Sequence, residues 1–171
     1  MRIRDETADD AAAVAALVAD AFSAVAFSDG CEPAIIAGLR DADALTLSLV
    51  AETEGEIAGH IAFSPVTIGG ARGSWFGLGP LAVRPVSQGR GIGAALVRVG
   101  LERLGASGAG GCVVFGDPAY YRRFGFTAGH GLALAGAPAG YFMALPFAAE
   151  VPAGEVRFHP AFDVASPGGS G

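Results

Sequence analysis

The residues of this chain best suited to chemistry are Gln88-Gly89-Arg90-Gly91-Ile92-Gly93-Ala94. They follow an apolar run, Leu78 to Val83, and open a segment whose Ile92, Leu96 and Val99 recur at helical spacing. The first N–H groups of a helix have no intrahelical acceptor and lie at the positive end of its dipole, so a strand, a glycine loop and a helix start in that order suit a phosphate. Glycine lets an anion approach the backbone without meeting a Cβ. Arg90 can add a charge-assisted bond and Gln88 a neutral donor. Spacing alone is weak in a chain with 27 glycines among 171 residues, and an ordinary helix start is the plain alternative. The context adds weight. Gly77, Gly79 and Pro80 stand where a central strand would carry ladder donors, which predicts a bulge or splay that frees backbone groups for a ligand.

The elements that must position this loop can be read along the chain. Residues 2–5 form a strand, and Thr7 with Asp10 makes an acidic variant of the capping box before an Ala-rich helix to Phe22. Residues 23–32 are a loop, and Pro33 opens a short helix to Arg40. Thr46–Glu52 and Glu56–Val66 flank Thr53-Glu54-Gly55 as a hairpin, Ser74–Val83 is a strand, and Gly89–Leu104 is a helix on which Arg98 and Glu102 pair at i, i+4. Gly111–Phe115 is a buried strand. Asp117 caps a helix with Pro118 at its first position, running to Phe124, and two strands follow near 126–135 and 141–147. The expected class is α/β with a mixed sheet, in a single domain over 1–165 followed by a disordered tail, 166–171.

Composition narrows the partners. The chain is 51% hydrophobic with a mean hydropathy of +0.46, so it has the apolar surface to fold alone. Eleven arginines and no lysine face seventeen acids, for a net charge of −6, which speaks against a nucleic-acid surface but leaves room for a local basic pocket. Cys31 and Cys112 match no metal or disulfide pattern, and His130 and His159 no ligand spacing, so no metal is expected. The acidic start and the glycines and prolines that break the uncharged run 124–149 predict a protein with neither a signal peptide nor a membrane span, cytoplasmic, with a homodimer left open.

At these residues the sequence resembles the GNAT superfamily of acyl-CoA-dependent N-acetyltransferases, whose pyrophosphate loop reads Arg or Gln, x, x, Gly, x, Gly or Ala; Gln88, Gly91 and Gly93 fit it. Tyr121-Arg122-Arg123-Phe124-Gly125-Phe126 looks like the superfamily's Tyr-x-x-x-Gly-Phe segment. Leu78–Val83 and Gly116–Tyr121 are similar to its YhbS-like branch. The resemblance covers most of residues 1–147. It implies a GNAT-like, mostly antiparallel sheet with a splayed central strand and flanking helices. It also implies acetyl-CoA as cosubstrate and an amine acceptor. Leu81, Ala82 and Val83 would hold the pantetheine arm, with Gln88, Gly89, Arg90, Gly91, Ile92, Gly93 and Ala94 around the pyrophosphate. Transfer would be direct, with an N–H near Leu81 stabilising the oxyanion and the Tyr121 hydroxyl protonating the leaving sulfur.

The chain departs from the family in two respects. Asp117 stands where many members carry an Asn, and its helix-capping role explains it. Residues 74–83 carry no acid, where many members place the Glu that takes the amine proton. Glu32, Asp29, His60 or water are the candidates, each side chain with a plain structural role as well: helix-start acid, turn residue, bonded strand histidine. Arg122 and Arg123 read as a solvated face from which the cofactor's 3′-phosphate could recruit one. Two rival functions stay open: an acyl-CoA sensor without turnover, and a dinucleotide-binding oxidoreductase, since Gly89-x-Gly91-x-x-Ala94 with Asp117 downstream formally fits that fingerprint.

Overall fold

The computed structural model describes residues 1–23, 25 and 30–163. Eight strands form one mixed sheet: β1 (Arg2–Asp5), β2 (Leu47–Thr53), β3 (Glu56–Ile68), β4 (Ala71–Val83), β5 (Gly111–Phe115), β6 (Leu132–Ala133), β7 (Phe142–Pro146) and β8 (Gly154–Arg157). The main path runs β1-β2-β3-β4-β5-β7, antiparallel except for the parallel pair β4–β5; β8 pairs the far end of β3, and β6 pairs β8. Tight turns set the central register. Glu54 and Gly55, at φ 53° and 79°, join β2 to β3, and Gly69-Gly70, at 61° and 82°, join β3 to β4; both are two-residue loops with positive φ, the kind that matches strand twist.

The layers follow from strand alternation. Leu49, Ile61, Phe63, Leu78, Leu81 and Val83 face α3 (Ile92–Ala106). Val50 and Ala82 face α1 (Ala11–Phe22) and α2 (Glu32–Asp41). Val66, Trp75 and Val113, on that same second face but at its other end, are covered by Leu132, Phe142 and Val156. Two glycines let α3 lie close to the sheet: a Cβ on Gly59 would come within 2.9 Å of Ile92 and Leu96, and one on Gly100 within 2.4 Å of the Phe63 ring. The close approach fixes where the N-terminus of α3 emerges.

Most expected elements are present. The Thr7–Asp10 capping box forms, with the Asp10 carboxylate accepting from the Thr7 N–H at 2.7 Å and from its hydroxyl at 3.0 Å. The strand expected over 126–135 does not. Gly129, His130 and Gly131 all have positive φ, which no strand accommodates, and only Leu132–Ala133 and an isolated Thr127–Ala144 bridge pair. β8 was not anticipated. The helix expected from Gly89 begins at Ile92, after a 3-10 turn over Pro85–Ser87. Arg98 stacks on Phe124 at 5.2 Å, and among the described residues no ion pair joins it to Glu102. The helix after Asp117 is α4 (Pro118–Tyr121), closing through a 3-10 turn over Arg122–Phe124. No described helix is long and apolar enough to cross a membrane. The tail 166–171 lies outside the described residues.

Candidate active site

The sheet opens in its middle. β4 and β5 pair only at Trp75–Gly111, Phe76–Cys112 and Gly77–Val113, after which β4 continues to Val83 with β3 as its one partner. The departure coincides with a bulge: Ile61 pairs Leu81 and Phe63 pairs Leu78, so Gly79 and Pro80 together oppose the single residue Ala62. The peptide bond between them is cis. Beyond the bulge the Arg84 N–H donates to the Ala58 carbonyl at 2.8 Å, so Arg84 and Ala82 direct their backbone groups to β3, and Val83 and Leu81 direct theirs into the opening. That is the bulge and splay expected from Gly77, Gly79 and Pro80.

The glycine loop stands at the mouth of this opening. Gly89 and Gly91 have φ near 80°, and Gly91 caps α3. The first helical bond is from the Ala95 N–H to the Gly91 carbonyl at 3.0 Å; the six N–H groups of Gly89 through Ala94 find no acceptor among the described residues. A groove of about 440 Å³ joins these groups to the splayed strand, lined by Leu81, Val83, Ser87, Gln88, Gly89, Gly91, Ile92, Gly93, Ala94, Tyr120 and Arg123. In a chain of net charge −6 its lining holds an arginine and no carboxylate. Gln88 turns inward, its Nε2 donating to the Val83 carbonyl at 3.1 Å, which ties the loop to the strand end. Arg123 lies over the Tyr120 ring at 5.1 Å and over Phe124 at 5.4 Å, so it flanks the groove instead of facing away as an isolated charge.

Of the residues singled out from the sequence, Leu81, Val83, Gln88, Gly89, Gly91, Ile92, Gly93 and Ala94 are brought together. Ala82 faces α1 and α2, and Arg90 is exposed outside the lining. The two tyrosines divide. Tyr120 reaches the open end, its hydroxyl 3.0 Å from where a Cβ on Gly93 would sit. Tyr121 packs at the closed end, against Gly116, Phe124 and Phe126 and near Cys112, the β5 partner of Phe76. Burial pushes the phenol of Tyr121 well above its ordinary range, with smaller contributions from Tyr120 and Cys112, and its hydroxyl has no hydrogen-bond partner among the described residues. Asp117, through its carboxylate, accepts from the Ala119 N–H at 2.9 Å, and so serves as the cap of α4.

The base candidates also separate. Asp29 lies outside the described residues. Glu32 begins α2. His60 is completely buried on the α1/α2 face of β3, beside Glu6, Arg40 and Ser48, three residues that sequence reading did not connect with it. No signal in the sequence links positions so far apart, on three elements and the link after β1. A larger cavity, about 650 Å³, lies between Ala42–Ala44, β8 and the 3-10 turn Pro160–Asp163; its charges are of both signs, and among the described residues no α-helix begins there.

Comparison with known proteins agrees with this geometry. Residues 45–128 match the model of the acetyltransferase (GNAT) domain. The uncharacterized N-acetyltransferase YhbS of Escherichia coli strain K12 is 41% identical over 127 residues, 74% of this chain and 73% of the relative. Among solved structures, a GNAT family acetyltransferase from Brucella melitensis in complex with acetyl-CoA superposes with a TM-score of 0.86 at 50% identity, covering 95% of this chain and 97% of that one. The YhbS structure from Escherichia coli in complex with CoA gives 0.85 at 34% identity, covering 95% and 92%.

Proposed function

The chain belongs to the GNAT superfamily of acetyltransferases, and from that membership we propose that it uses acetyl-CoA to acetylate a primary amine by direct transfer. The observation that carries the reading is the row of six unaccepted N–H groups, Gly89 to Ala94, at the mouth of the β4–β5 opening. These donors and the adjacent Arg123 suit a pyrophosphate, and the outward backbone of Val83 and Leu81 suits the amide-bearing pantetheine arm as a strand-like partner. An arm anchored at the loop and laid along β4 runs toward Gly77, where the opening closes. The thioester then lies near Tyr121, not near Tyr120.

In that position the amine nitrogen attacks the carbonyl carbon and gives up its surplus proton to a base, an N–H near Leu81 stabilises the oxygen as charge develops, and the carbon–sulfur bond breaks. Tyr121, kept protonated by its burial, supplies a proton to the leaving thiolate and regains one from solvent. The geometry disfavours the dinucleotide reading. A 3-10 turn separates strand from glycine loop, β4 is antiparallel to β3, and Asp117 is committed to its helix cap. The test is thermal unfolding with acetyl-CoA, NADH and ATP, followed by mass spectrometry of amine mixtures. Stabilisation by acetyl-CoA alone and a gain of ~42 Da on an amine, one acetyl group (~43) in place of one hydrogen (~1), support the reading; no shift at saturating acetyl-CoA overturns it.

A further inference from the structure

His60 stands at the end of a buried chain of hydrogen bonds whose donors and acceptors can be assigned. Arg40 pairs with Glu6. The Ser48 hydroxyl donates to Glu6 Oε2. Having spent its only proton there, Ser48 Oγ can act toward His60 only as an acceptor, and His60 Nε2 is 2.8 Å away. Nε2 therefore carries the ring proton in the neutral imidazole, and Nδ1 carries the lone pair. Nδ1 is buried and has no partner among the described residues. Glu6, 5% exposed, places a carboxylate oxygen 3.4 Å from Nε2. The Arg40 guanidinium of α2, held on Glu6, is the positive charge that faces this cluster; among the described residues α1 brings Val14, Leu17 and Val18 to this face and β4 brings Ala82.

The ring also lies beside the reaction centre proposed above. His60 pairs directly with Ala82, so both side chains rise from the same face, next to Leu81 and the Gly79–Pro80 bulge. On the same face of β3, beyond the small side chain of Ala62, Ser64 Oγ is a second buried polar atom without a partner among the described residues. Buried atoms of this kind are served by water. A cosubstrate taking the place of a strand beside β4 would lie about two strand spacings, ~10 Å, from β3, a distance that calls for a short row of waters and not a single bridge.

Resting on the acyl-transfer reading, we propose that His60 Nδ1 accepts the acceptor amine's proton through water on the α1/α2 face, with Ser48 and Glu6 as positioning residues that hold the Nε2–H tautomer. As nitrogen bonds to the carbonyl carbon and carbon–sulfur cleavage releases the thiolate, the surplus proton on nitrogen passes to Nδ1. The imidazolium so formed donates through Nε2 to Ser48, which donates to Glu6, and it later returns its proton to solvent.

Long-range proton–nitrogen NMR on the full-length protein labelled at histidine reads the tautomer, with His60→Gln identifying the His60 signals. Thiol release from acetyl-CoA with ethylamine, lysine methyl ester or water as acceptor reads the chemistry. Expected are an Nε2–H ring with unprotonated Nδ1, a ~10²-fold lower release in His60→Gln at unchanged acetyl-CoA affinity, and loss of the acidic limb of the pH–rate profile. Ser48→Ala keeps the ring and should show mixed tautomers and a shifted limb, which serves if His60→Gln does not fold. A proton on Nδ1 in the wild type, or turnover and pH profile unchanged in the variants, overturns the proposal alone. No acetyl-CoA binding, or binding with no release from any acceptor, overturns the acyl-transfer reading and this one with it.

Discussion

The Tyr120 hydroxyl lies 3.0 Å from the point a Cβ on Gly93 would occupy, so a methyl group there meets both the tyrosine and the floor of the groove. Gly93 is in the first turn of α3, where alanine is the better helix former by up to about 1 kcal/mol. Gly93→Ala should therefore leave thermal stability unchanged or raised while weakening acetyl-CoA binding about tenfold, as for the loss of one good contact. Calorimetric titration beside a melting curve checks the two opposite signs; undiminished affinity would remove the groove from the cofactor path.

Gly91 separates charge from conformation. Its φ of 81° strains most side chains, yet nothing lies within 4 Å of an added Cβ. Asparagine tolerates this region better than most residues, and aspartate adds a negative charge. Gly91→Asp is expected to lose at least ~10-fold more acetyl-CoA affinity than Gly91→Asn, with the gap narrowing at high salt. Equal losses would mean that no phosphate sits there.

The two tyrosines should answer differently to loss of the hydroxyl. Tyr121→Phe keeps the ring contacts with Phe124 and Phe126 and removes a hydroxyl without a partner among the described residues, so the fold should hold while kcat falls ~10²-fold or more. Tyr120→Phe should chiefly alter acetyl-CoA affinity, because that hydroxyl faces Gly93 at the open end. Steady-state kinetics with a confirmed acceptor decides; equal, small effects on kcat would return Tyr121 to a packing role.

Packing of α3 on the sheet gives a stability prediction free of any ligand. A Cβ at Gly100 would come 2.4 Å from the Phe63 ring, and both residues are buried. Overpacking typically costs about 1–3 kcal/mol, against a gain of about 1 kcal/mol in helix propensity. Gly100→Ala should lower the melting temperature, and adding Phe63→Leu should recover part of the loss; a rise in the single variant would show that the ring moves freely.

Acid stability should report on Glu6. Burial raises its pKa, but hydrogen bonds from His60 and Ser48 and the charges of His60 and Arg40 outweigh that and hold it at about 2, below the unfolded value of 4.5. A depressed carboxyl contributes stability in full above its unfolded pKa and loses it as pH falls through the folded one, so the window is pH 4.5 down to about 2. Asp10, lowered chiefly by Arg4 and then by Thr7, has the same sign. Urea midpoints across that window should fall less steeply for Glu6→Gln than for the wild type, from a lower value at pH 7; parallel curves would refute the pairing.

What could be read from sequence and what could not have separate physical causes. The hairpin at Glu54-Gly55, the Thr7–Asp10 box, the Asp117 cap and the glycine loop are local devices, each written within a few neighbouring residues. The region after Phe126 carries glycines at 129, 131, 136 and 140 and no clear period; its strands β6 and β8 exist because they pair with each other and with β3. The direction of Tyr120 and Tyr121 depends on how a one-turn helix leaves β5. The Glu6–Ser48–His60 chain requires the β2–β3 register, under which Ser48 opposes Ala62 and stands diagonally to His60.

The bulge at Gly79 and Pro80 changes the reading frame of β4 as a surface. Before it, Phe76 and Leu78 share a side with α3 while Trp75 and Gly77 look the other way; after it, the odd positions Leu81 and Val83 meet α3, and Ala82 looks the other way. Because two residues span one rung, the halves of the strand are out of phase. Removing either bulge residue would not merely shorten β4. It would turn Leu81 and Val83 into the space that now holds only Ala82, and present a methyl group to α3 where two branched side chains belong. The two halves are thus separately editable: the first half answers to the layer over Trp75 and Val113, the second to whatever molecule occupies the opening, and the extra residue keeps changes in one from being copied into the other.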